Sequence, residues 1–216
     1  MVKVLITAGS TRENIDPIRY ISSGSSGKQG YALAECMAKI GWNVRLVSCE
    51  VNIKPQLDLY EVLHVNTSAQ MLDACLSLLP VDVAIFTAAV TDWVPYPQNR
   101  KLKKNAIDNI HMLHSPDIVR CVSVNRHRPK LVIGFCLESE NLLESARSKL
   151  LYKKCDWIIA NHFYVKDGEP VMGSDYNKVF LVTKNSVKPL QMMTKAKVAE
   201  VVMEEIIDYL KNFTIR

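Results

Sequence analysis

The chain alternates short apolar segments with longer amphipathic segments over most of its 216 residues. The short segments are apolar on both sides, which is typical of parallel strands covered by helices on both faces of a sheet. We predict strands at Val2–Ala8, Val44–Ser48, Glu61–Asn66, Val83–Ala88, Leu131–Leu137 and Trp157–Ala160. We predict helices at Gly30–Ile40, Ala69–Leu79, Pro116–Val124, Asn141–Lys154 and Lys195–Asn212. This alternation favours a Rossmann-like α/β fold, a three-layer α/β/α sandwich with a mostly parallel central sheet.

The pattern changes after Asn161. Phe163–Asn177 is rich in Gly, Asp and Pro and is interpreted as a long loop. Val179–Thr183 and Val187–Leu190, joined by a short polar turn, predict a β-hairpin that precedes the last helix. The sequence contains no repeat, low-complexity tract or linker, so we expect a single domain over residues 1–216.

The composition, 48% hydrophobic and 23% charged residues, is that of an ordinary globular protein. No apolar run approaches the ~18–20 residues that span a bilayer. The first residues, Met1–Ile6, predict a strand and not a signal peptide, so we expect a cytoplasmic protein without membrane insertion. Its six cysteines are scattered and form no CxxC pair, so we expect neither a disulfide framework nor a structural zinc site.

Much of the net charge of +5 lies in the basic cluster Arg100–Lys104. A solvated basic loop is the ordinary interpretation of such a cluster, and a site for phosphate or a nucleotide is the alternative, because the cluster attracts anions. Nucleic acid is disfavoured, because the aromatic residues do not interleave with the basic ones as a stacking surface requires.

A segment of small residues, Ser22–Gly30, precedes the first predicted helix. Small residues at a helix start leave backbone N–H groups free to bind an anion, with help from the helix dipole. A flexible loop with a capping serine is the alternative. The dinucleotide fingerprint GxGxxG is absent, and no tyrosine has a lysine four residues later, which disfavours a short-chain dehydrogenase.

The residues Thr7–Gly9, Thr11–Glu13, Ile15–Ser22 and Ser25–Gly30 together resemble the opening of bacterial phosphopantothenoylcysteine synthetases. The similarity continues, in the family's order, through Ala88–Trp93, Lys101–Lys104, Pro116–Val119, Ile133–Glu138, Lys149–Lys153 and Asp156–Asn161. Each motif is weak alone, but the ordered series covers most of residues 2–161.

The resemblance implies a ligase that joins L-cysteine to 4′-phosphopantothenate in coenzyme A biosynthesis. CTP would convert the substrate carboxylate to an acyl-cytidylate with release of pyrophosphate, and the cysteine amine would then displace CMP. The resemblance also implies Mg²⁺ or Mn²⁺, no flavin, and a homodimer with shared active sites. A nucleotide-dependent oxidoreductase and a non-catalytic relative that only binds CTP are the alternatives.

The resemblance also assigns site residues. Lys101 would neutralise the triphosphate during attack, and Lys103 or Lys104 could share that role. The other expected nucleotide contacts are Ala88, Asp92, Pro116, Asp117, Ile118, Val119, Phe135, Lys149 and Lys153. The expected contacts to the second substrate are Ser25, Ser26, Gly27 and Ala89. The sequence indicates no metal ligands.

The chain departs from the family pattern at Ser23, where the family usually has an asparagine associated with turnover of the acyl-cytidylate. Serine is shorter and has no amide donor, so we expect a water molecule or Ser23 itself to substitute. Many bacterial relatives also carry a flavin-dependent decarboxylase ahead of this domain. The present chain starts at the first strand of the synthetase, which fits either a separate enzyme or part of a longer one.

Overall fold

The structure is a computed structural model that describes residues 1–53, 55, 59–96, 98–103, 110–162, 165–166, 169–170 and 174–214. Its helices are α1 (Lys28–Lys39), α2 (Ser68–Ser77), α3 (Ile118–Ser123), α4 (Leu142–Lys153) and α5 (Lys195–Thr214). Its strands are β1 (Lys3–Ala8), β2 (Arg12–Asn14), β3 (Tyr20–Ser22), β4 (Asn43–Ser48), β5 (Glu61–His64), β6 (Val83–Phe86), β7 (Trp93–Pro95), β8 (Met112–His114), β9 (Leu131–Glu138), β10 (Trp157–His162), β11 (Val165–Lys166), β12 (Glu169–Pro170), β13 (Tyr176–Asn177), β14 (Val179–Thr183), β15 (Val187–Pro189) and β16 (Met193–Thr194). The predicted helices and main strands are confirmed, with ends that differ by a few residues.

The central sheet has eight strands in the order β15-β14-β10-β9-β6-β1-β4-β5. Six neighbouring strands of this sheet, β10, β9, β6, β1, β4 and β5, are parallel to one another. The other two are antiparallel to their neighbours, since β14 pairs antiparallel with β10, and β15 pairs antiparallel with β14. The mostly parallel α/β fold is therefore confirmed. The predicted hairpin β14–β15 is also confirmed, and it extends this sheet beyond β10. All the parallel strands end at one edge of the sheet, where an open α/β sheet binds its ligands.

The side chains of the central strands alternate between two buried layers. In β1, Val4 and Ile6 belong to the layer beneath α1 and α5, and Leu5 belongs to the layer beneath α2, α3 and α4. Both layers contain fully buried helix residues, for example Met37 on α1 and Met71 on α2. Full burial of such a side chain contributes about 1.5–3 kcal/mol. The three-layer sandwich is thus held by two separate apolar cores, one on each face of the sheet.

Several short antiparallel pairs were not predicted from the sequence. They are β2–β3, β7–β8, β11–β12 and β13–β16. Each strand has two or three residues, which is too short for an alternating pattern to be recognised. The interpretation of Phe163–Asn177 as a loop is wrong where β11, β12 and β13 lie, and part of that segment lies outside the described residues. Among the described residues, no helix combines the length and apolar character needed to cross a membrane.

Candidate functional site

A cavity of about 1050 Å³ opens at the carboxyl edge of the parallel strands. Its walls come from residues that follow β6, from the second half of β9 and the end of β10, from the first turns of α1 and α3, and from the last turns of α4. A typical small-molecule pocket measures about 300–1,000 Å³. This cavity therefore has room for a nucleotide together with a second substrate.

The structure brings nearly all of the predicted site residues into this cavity. Its lining includes Ser23, Ser25, Ser26, Gly27, Ala88, Ala89, Asp92, Pro116, Asp117, Ile118, Val119, Phe135, Lys149 and Lys153. These residues come from loops far apart in the sequence, and they meet because parallel strands end at the same edge.

Lys101 does not line the cavity, and its side chain is exposed. The backbone N–H and the backbone carbonyl of the next residue, Leu102, both form hydrogen bonds to the turn of the β2–β3 hairpin. Its N–H donates to Asp16 Oδ2 at 3.1 Å, and its carbonyl accepts from Arg19 Nη2 at 2.8 Å. The chain beside Lys101 is therefore tied to this hairpin. Of the two alternatives, Lys103 is exposed and does not line the cavity, and Lys104 lies outside the described residues.

The small residues before α1 form a close backbone turn at the cavity wall. Gly27 is the N-cap of α1 and has a left-handed φ of 74°. A Cβ atom at Gly27 would lie 2.8 Å from Val51 Cγ1, so only glycine fits. The Ser25 N–H donates to Ser10 Oγ at 2.8 Å, which fixes the turn to the end of β1. Among the described residues Gly27 makes no side-chain capping hydrogen bond at the start of α1, and the start of a helix attracts anions through the helix dipole.

Ala88 and Ala89 follow β6 and form a fixed platform. The N–H of Ala89 donates to the Gly9 carbonyl at 2.8 Å, and its carbonyl accepts from the Thr11 N–H at 3.2 Å. The N–H of Ala88 donates to Thr7 Oγ1 at 3.3 Å. Because methyl side chains occupy little space, a ligand can approach this backbone closely.

Two lysines on α4 mark the positive end of the cavity beside α3. Lys153 Nζ donates to Asp117 Oδ2 at 2.8 Å, and Lys149 Nζ pairs with Glu138. Asp117 also caps α3, because its Oδ1 accepts from the Arg120 N–H at 3.0 Å. The carboxylates hold both ammonium groups at the cavity, where they are placed to bind an anionic ligand.

A second basic group at the cavity, on the side of α1 and α5, was not predicted as part of the site. It consists of Lys28 and Lys195, with the neutral side chain of Gln29 beside them, and all three residues line the cavity. Gln29 Nε2 donates to the Lys195 carbonyl at 3.0 Å across 166 positions of sequence. Burial, together with the nearby charge of Lys28, lowers the pKa of Lys195. No local pattern signals this pairing, because it depends on the packing of α1 against α5.

The cavity also contains Cys136, but burial raises the pKa of its thiol to about 11, so it is protonated at neutral pH and is a poor nucleophile. Asp92, on the loop after β6, is exposed at the cavity, and its backbone carbonyl accepts from the Ser115 N–H at 3.1 Å. Within the described part of the chain, no group of three or more His, Cys, Asp or Glu residues could hold a metal ion.

Comparison with known families gives a match over nearly the whole chain. The family model described as "DNA/pantothenate metabolism flavoprotein C-terminal domain" matches residues 1–210.

Curated relatives support the same relationship. The coenzyme A biosynthesis bifunctional protein CoaBC of Borreliella burgdorferi is 36% identical over 207 residues, which cover 94% of this chain and 51% of the relative. The protein of the same name from Haemophilus influenzae is 37% identical over 211 residues, covering 96% of this chain and 52% of the relative. The chain thus spans about half the length of the curated relatives it matches.

A crystal structure of the C-terminal domain of coenzyme A biosynthesis bifunctional protein CoaBC matches along almost its whole length. It superposes with a TM-score of 0.81 and 32% identity, covering 98% of this chain and 96% of that chain.

Proposed function

The chain belongs to the family described as the DNA/pantothenate metabolism flavoprotein C-terminal domain, and from this premise we propose that it is a phosphopantothenate–cysteine ligase of coenzyme A biosynthesis. The observation that carries the proposal is the single cavity that contains both the expected nucleotide residues and the expected substrate residues. The substrate carboxylate would attack the α-phosphorus of CTP and release pyrophosphate. The amine of L-cysteine would then attack the acyl carbon, lose a proton, and release CMP.

The charges of the cavity support the first of these two steps. A carboxylate and a triphosphate repel each other, so cations must stabilise their approach. Lys149 and Lys153 lie on one face of α4 and both line the cavity. The loss of one such contact in the transition state would raise the barrier by about 3 kcal/mol, or about a hundredfold in rate.

A divalent cation, Mg²⁺ or Mn²⁺, fits this cavity as a companion of the triphosphate. Mg²⁺ is commonly held by one or two carboxylates together with substrate phosphates, and Asp92 offers a carboxylate at the cavity. When bound there, the cation would neutralise charge on the triphosphate. We propose no flavin for this activity, because forming an amide bond transfers no electrons.

Lys101 is proposed to act in a homodimer with shared active sites. Exposed apolar side chains on the neighbouring hairpins support a partner surface, with Tyr20, Trp93 and Leu113 exposed by 50%, 50% and 56%. Lys101 lies outside its own cavity and is bound through Leu102 to the β2–β3 hairpin, so it would enter the cavity of the partner subunit.

Mixing two inactive variants tests the shared site. Lys101→Ala and Lys153→Ala should each be nearly inactive alone, and co-expression should restore part of the activity, because one mixed site keeps both lysines. The absence of any recovery would argue against sharing. A particle of 24.4 kDa in light scattering, the mass of one chain, would exclude the dimer.

The second step depends on Ser23, which lies at the cavity with its side chain exposed. We propose that its hydroxyl or a bound water replaces the family's asparagine during turnover of the acyl-cytidylate. Mass spectrometry of the reaction mixture tests this substitution. With cysteine present, the acyl-cytidylate should remain at trace levels, and its accumulation would contradict the substitution.

Pyrophosphate release tests the overall activity. Release should require CTP and 4′-phosphopantothenate, and amide product should form only when cysteine is added. A protein that binds CTP without release would be a non-catalytic relative, and a response to NAD(P)H would indicate an oxidoreductase. The same assay with ATP tests the preference for CTP.

One synthetase domain over residues 1–216 and a cytoplasmic location stay predictions from the sequence.

A further inference from the structure

The short segment that carries Lys101 is bound at both ends to the turn of the β2–β3 hairpin. At one end, the Gln98 N–H donates to the Ile15 carbonyl at 3.0 Å. At the other end, the Leu102 N–H donates to Asp16 Oδ2 at 3.1 Å. Because Lys101 lies between these two attachments, the hairpin turn sets the position of its backbone.

Asp16 is the centre of the attachment at Leu102, and its side chain has no exposed surface. Asp16 Oδ1 accepts from the N–H groups of Ile18 and Arg19 at 2.9 and 2.8 Å. Asp16 Oδ2 accepts from Arg19 Nε at 2.9 Å as well as from the Leu102 N–H. The hydrogen bond from the Arg19 side chain, followed by those from the backbone, holds the pKa of Asp16 well below its usual value. The carboxylate is therefore charged at neutral pH and is a strong acceptor.

Arg19 completes the attachment from the other side of Leu102. Its Nε and Nη2 atoms both donate to Asp16 Oδ2, and Nη2 also donates to the Leu102 carbonyl at 2.8 Å. A guanidinium group can make all of these contacts because it carries five N–H donors in one rigid plane. One carboxylate and one guanidinium thus bind the N–H and the carbonyl of the residue that follows Lys101.

The turn of the hairpin does not need the contacts to Leu102 for its own closure. The Ile15 N–H donates to the Arg19 carbonyl at 2.8 Å, and Asp16 Oδ1 already accepts from two N–H groups inside the turn. The contacts to Leu102 instead reach across more than 80 positions of sequence. They fix the segment of the expected catalytic lysine and add nothing to the closure of the turn.

We propose that Asp16 and Arg19 are positioning residues for Lys101, because they hold the backbone beside it and so place its ammonium group for the attack on the nucleotide. This inference rests on the proposed ligase function and on the role of Lys101 in it. Neither residue is proposed to touch a ligand. A displacement of about 1 Å can cost about a hundredfold in rate, so a small shift of this segment should be visible in kcat.

Double-variant kinetics of pyrophosphate release test whether Asp16 acts through Lys101. Asp16→Asn keeps the size of the side chain but replaces one carboxylate oxygen by an NH₂ donor, so Leu102 or Arg19 loses an acceptor. This variant should lower kcat by about tenfold to a hundredfold. In the Lys101→Ala background, the same change should lower kcat by less than about twofold, because no lysine is left to displace. An unchanged kcat for Asp16→Asn, or a further loss of about tenfold in that background, overturns the proposal.

Hydrogen exchange measured by NMR tests the attachment without any activity. The Leu102 N–H should exchange slowly in wild type and about tenfold faster in Asp16→Asn, because the variant lacks the charged acceptor. Equal exchange in the two proteins overturns the attachment. Arg19→Lys keeps the charge but loses the rigid plane of donors, so it should also lower kcat and speed the exchange. It carries the test if Asp16→Asn does not fold.

Asp156→Asn is the matched control. Asp156 Oδ2 accepts from the Val132 N–H at 2.7 Å and from Arg128 Nη2 at 2.8 Å, so its partners are also an arginine and a distant backbone N–H. Asp156 directly precedes β10 and lies at the sheet edge opposite to the cavity. This variant should lower the urea midpoint but leave kcat within about twofold of wild type. An equal fall of kcat in Asp156→Asn and Asp16→Asn overturns the proposal, because it would mean a general effect of lost stability.

The outcomes separate this inference from the proposed activity. If wild type releases no pyrophosphate, the ligase function fails, whereas faster exchange of the Leu102 N–H in Asp16→Asn still supports the attachment. If wild type is active and Asp16→Asn keeps its kcat, the ligase function stands and the positioning role fails.

Discussion

Replacement of Lys153 by alanine tests how the cavity binds the triphosphate. Lys153 Nζ lies 2.8 Å from Asp117 Oδ2, and the two side chains are 26% and 22% exposed. Because the pair is partly exposed, its loss should lower the free energy of unfolding by no more than about 1 kcal/mol. The larger effect should fall on CTP. One charge-assisted contact contributes about 1.5–3 kcal/mol, so the dissociation constant for CTP should rise by about tenfold to 150-fold.

Removal of the lysine also leaves the Asp117 carboxylate without its partner, beside the expected position of the triphosphate. The double variant Lys153→Ala/Asp117→Asn should therefore recover part of the lost affinity, because asparagine also caps helices but carries no charge. The recovered part measures repulsion by the carboxylate, and the remainder measures the lost lysine contact.

Lys130→Ala is the matched control for Lys153→Ala. Lys130 Nζ pairs with Asp82 Oδ1 at 2.9 Å, and both residues precede parallel strands, so they lie at the sheet edge opposite to the cavity. Calorimetric titration with CTP and Mg²⁺ gives the dissociation constants, and urea unfolding gives the stabilities. A change below about threefold for Lys153→Ala, or an equal change for Lys130→Ala, would refute the placement of the triphosphate at α4.

Two further predictions concern the elements around the site. Asp16→Asn should lower the urea midpoint at pH 7, because the Arg19 side chain and backbone N–H groups hold the pKa of this buried carboxyl well below its usual value. That stabilisation is present above about pH 4 and is lost as the pH falls toward the folded-state pKa. The difference in urea midpoint between the variant and wild type should therefore narrow by pH 3. A difference that does not change with pH would contradict this cause. Gly30→Ala should destabilise the protein by about 1–3 kcal/mol in urea unfolding, because its Cβ would lie 2.6 Å from both Ala8 Cβ and Thr87 Oγ1. An unchanged midpoint for this variant would mean that α1 moves away from the sheet without cost.

Much of the fold could be predicted because its pattern is local. Each central strand is a short run of apolar residues, and each helix repeats its apolar positions with the helical period. The strand Val83–Phe86, for example, is buried along its whole length, and its sequence already indicated a strand covered on both faces. The site residues after these strands could also be predicted, since parallel strands place their carboxyl ends at one edge.

The features that were not predicted have a physical cause as well. The β2–β3 hairpin has three-residue strands and is held by the Asp16 carboxylate, which accepts from the N–H groups of Ile18 and Arg19. Such a turn depends on one side chain and leaves no hydrophobic period to recognise. The position of Lys101 was not predicted for the same reason, because Leu102 is bound to this hairpin across more than 80 positions of sequence.

The amino-acid sequence by itself determined the α/β class, the order of the main elements and the family, because periodicity and ordered motifs are properties of neighbouring residues. Only the tertiary structure decided that Gln29 meets Lys195 and that Lys153 meets Asp117. These contacts depend on how helices pack against the two faces of the sheet. Side chains distant in sequence are brought together by that packing, and no local pattern records it.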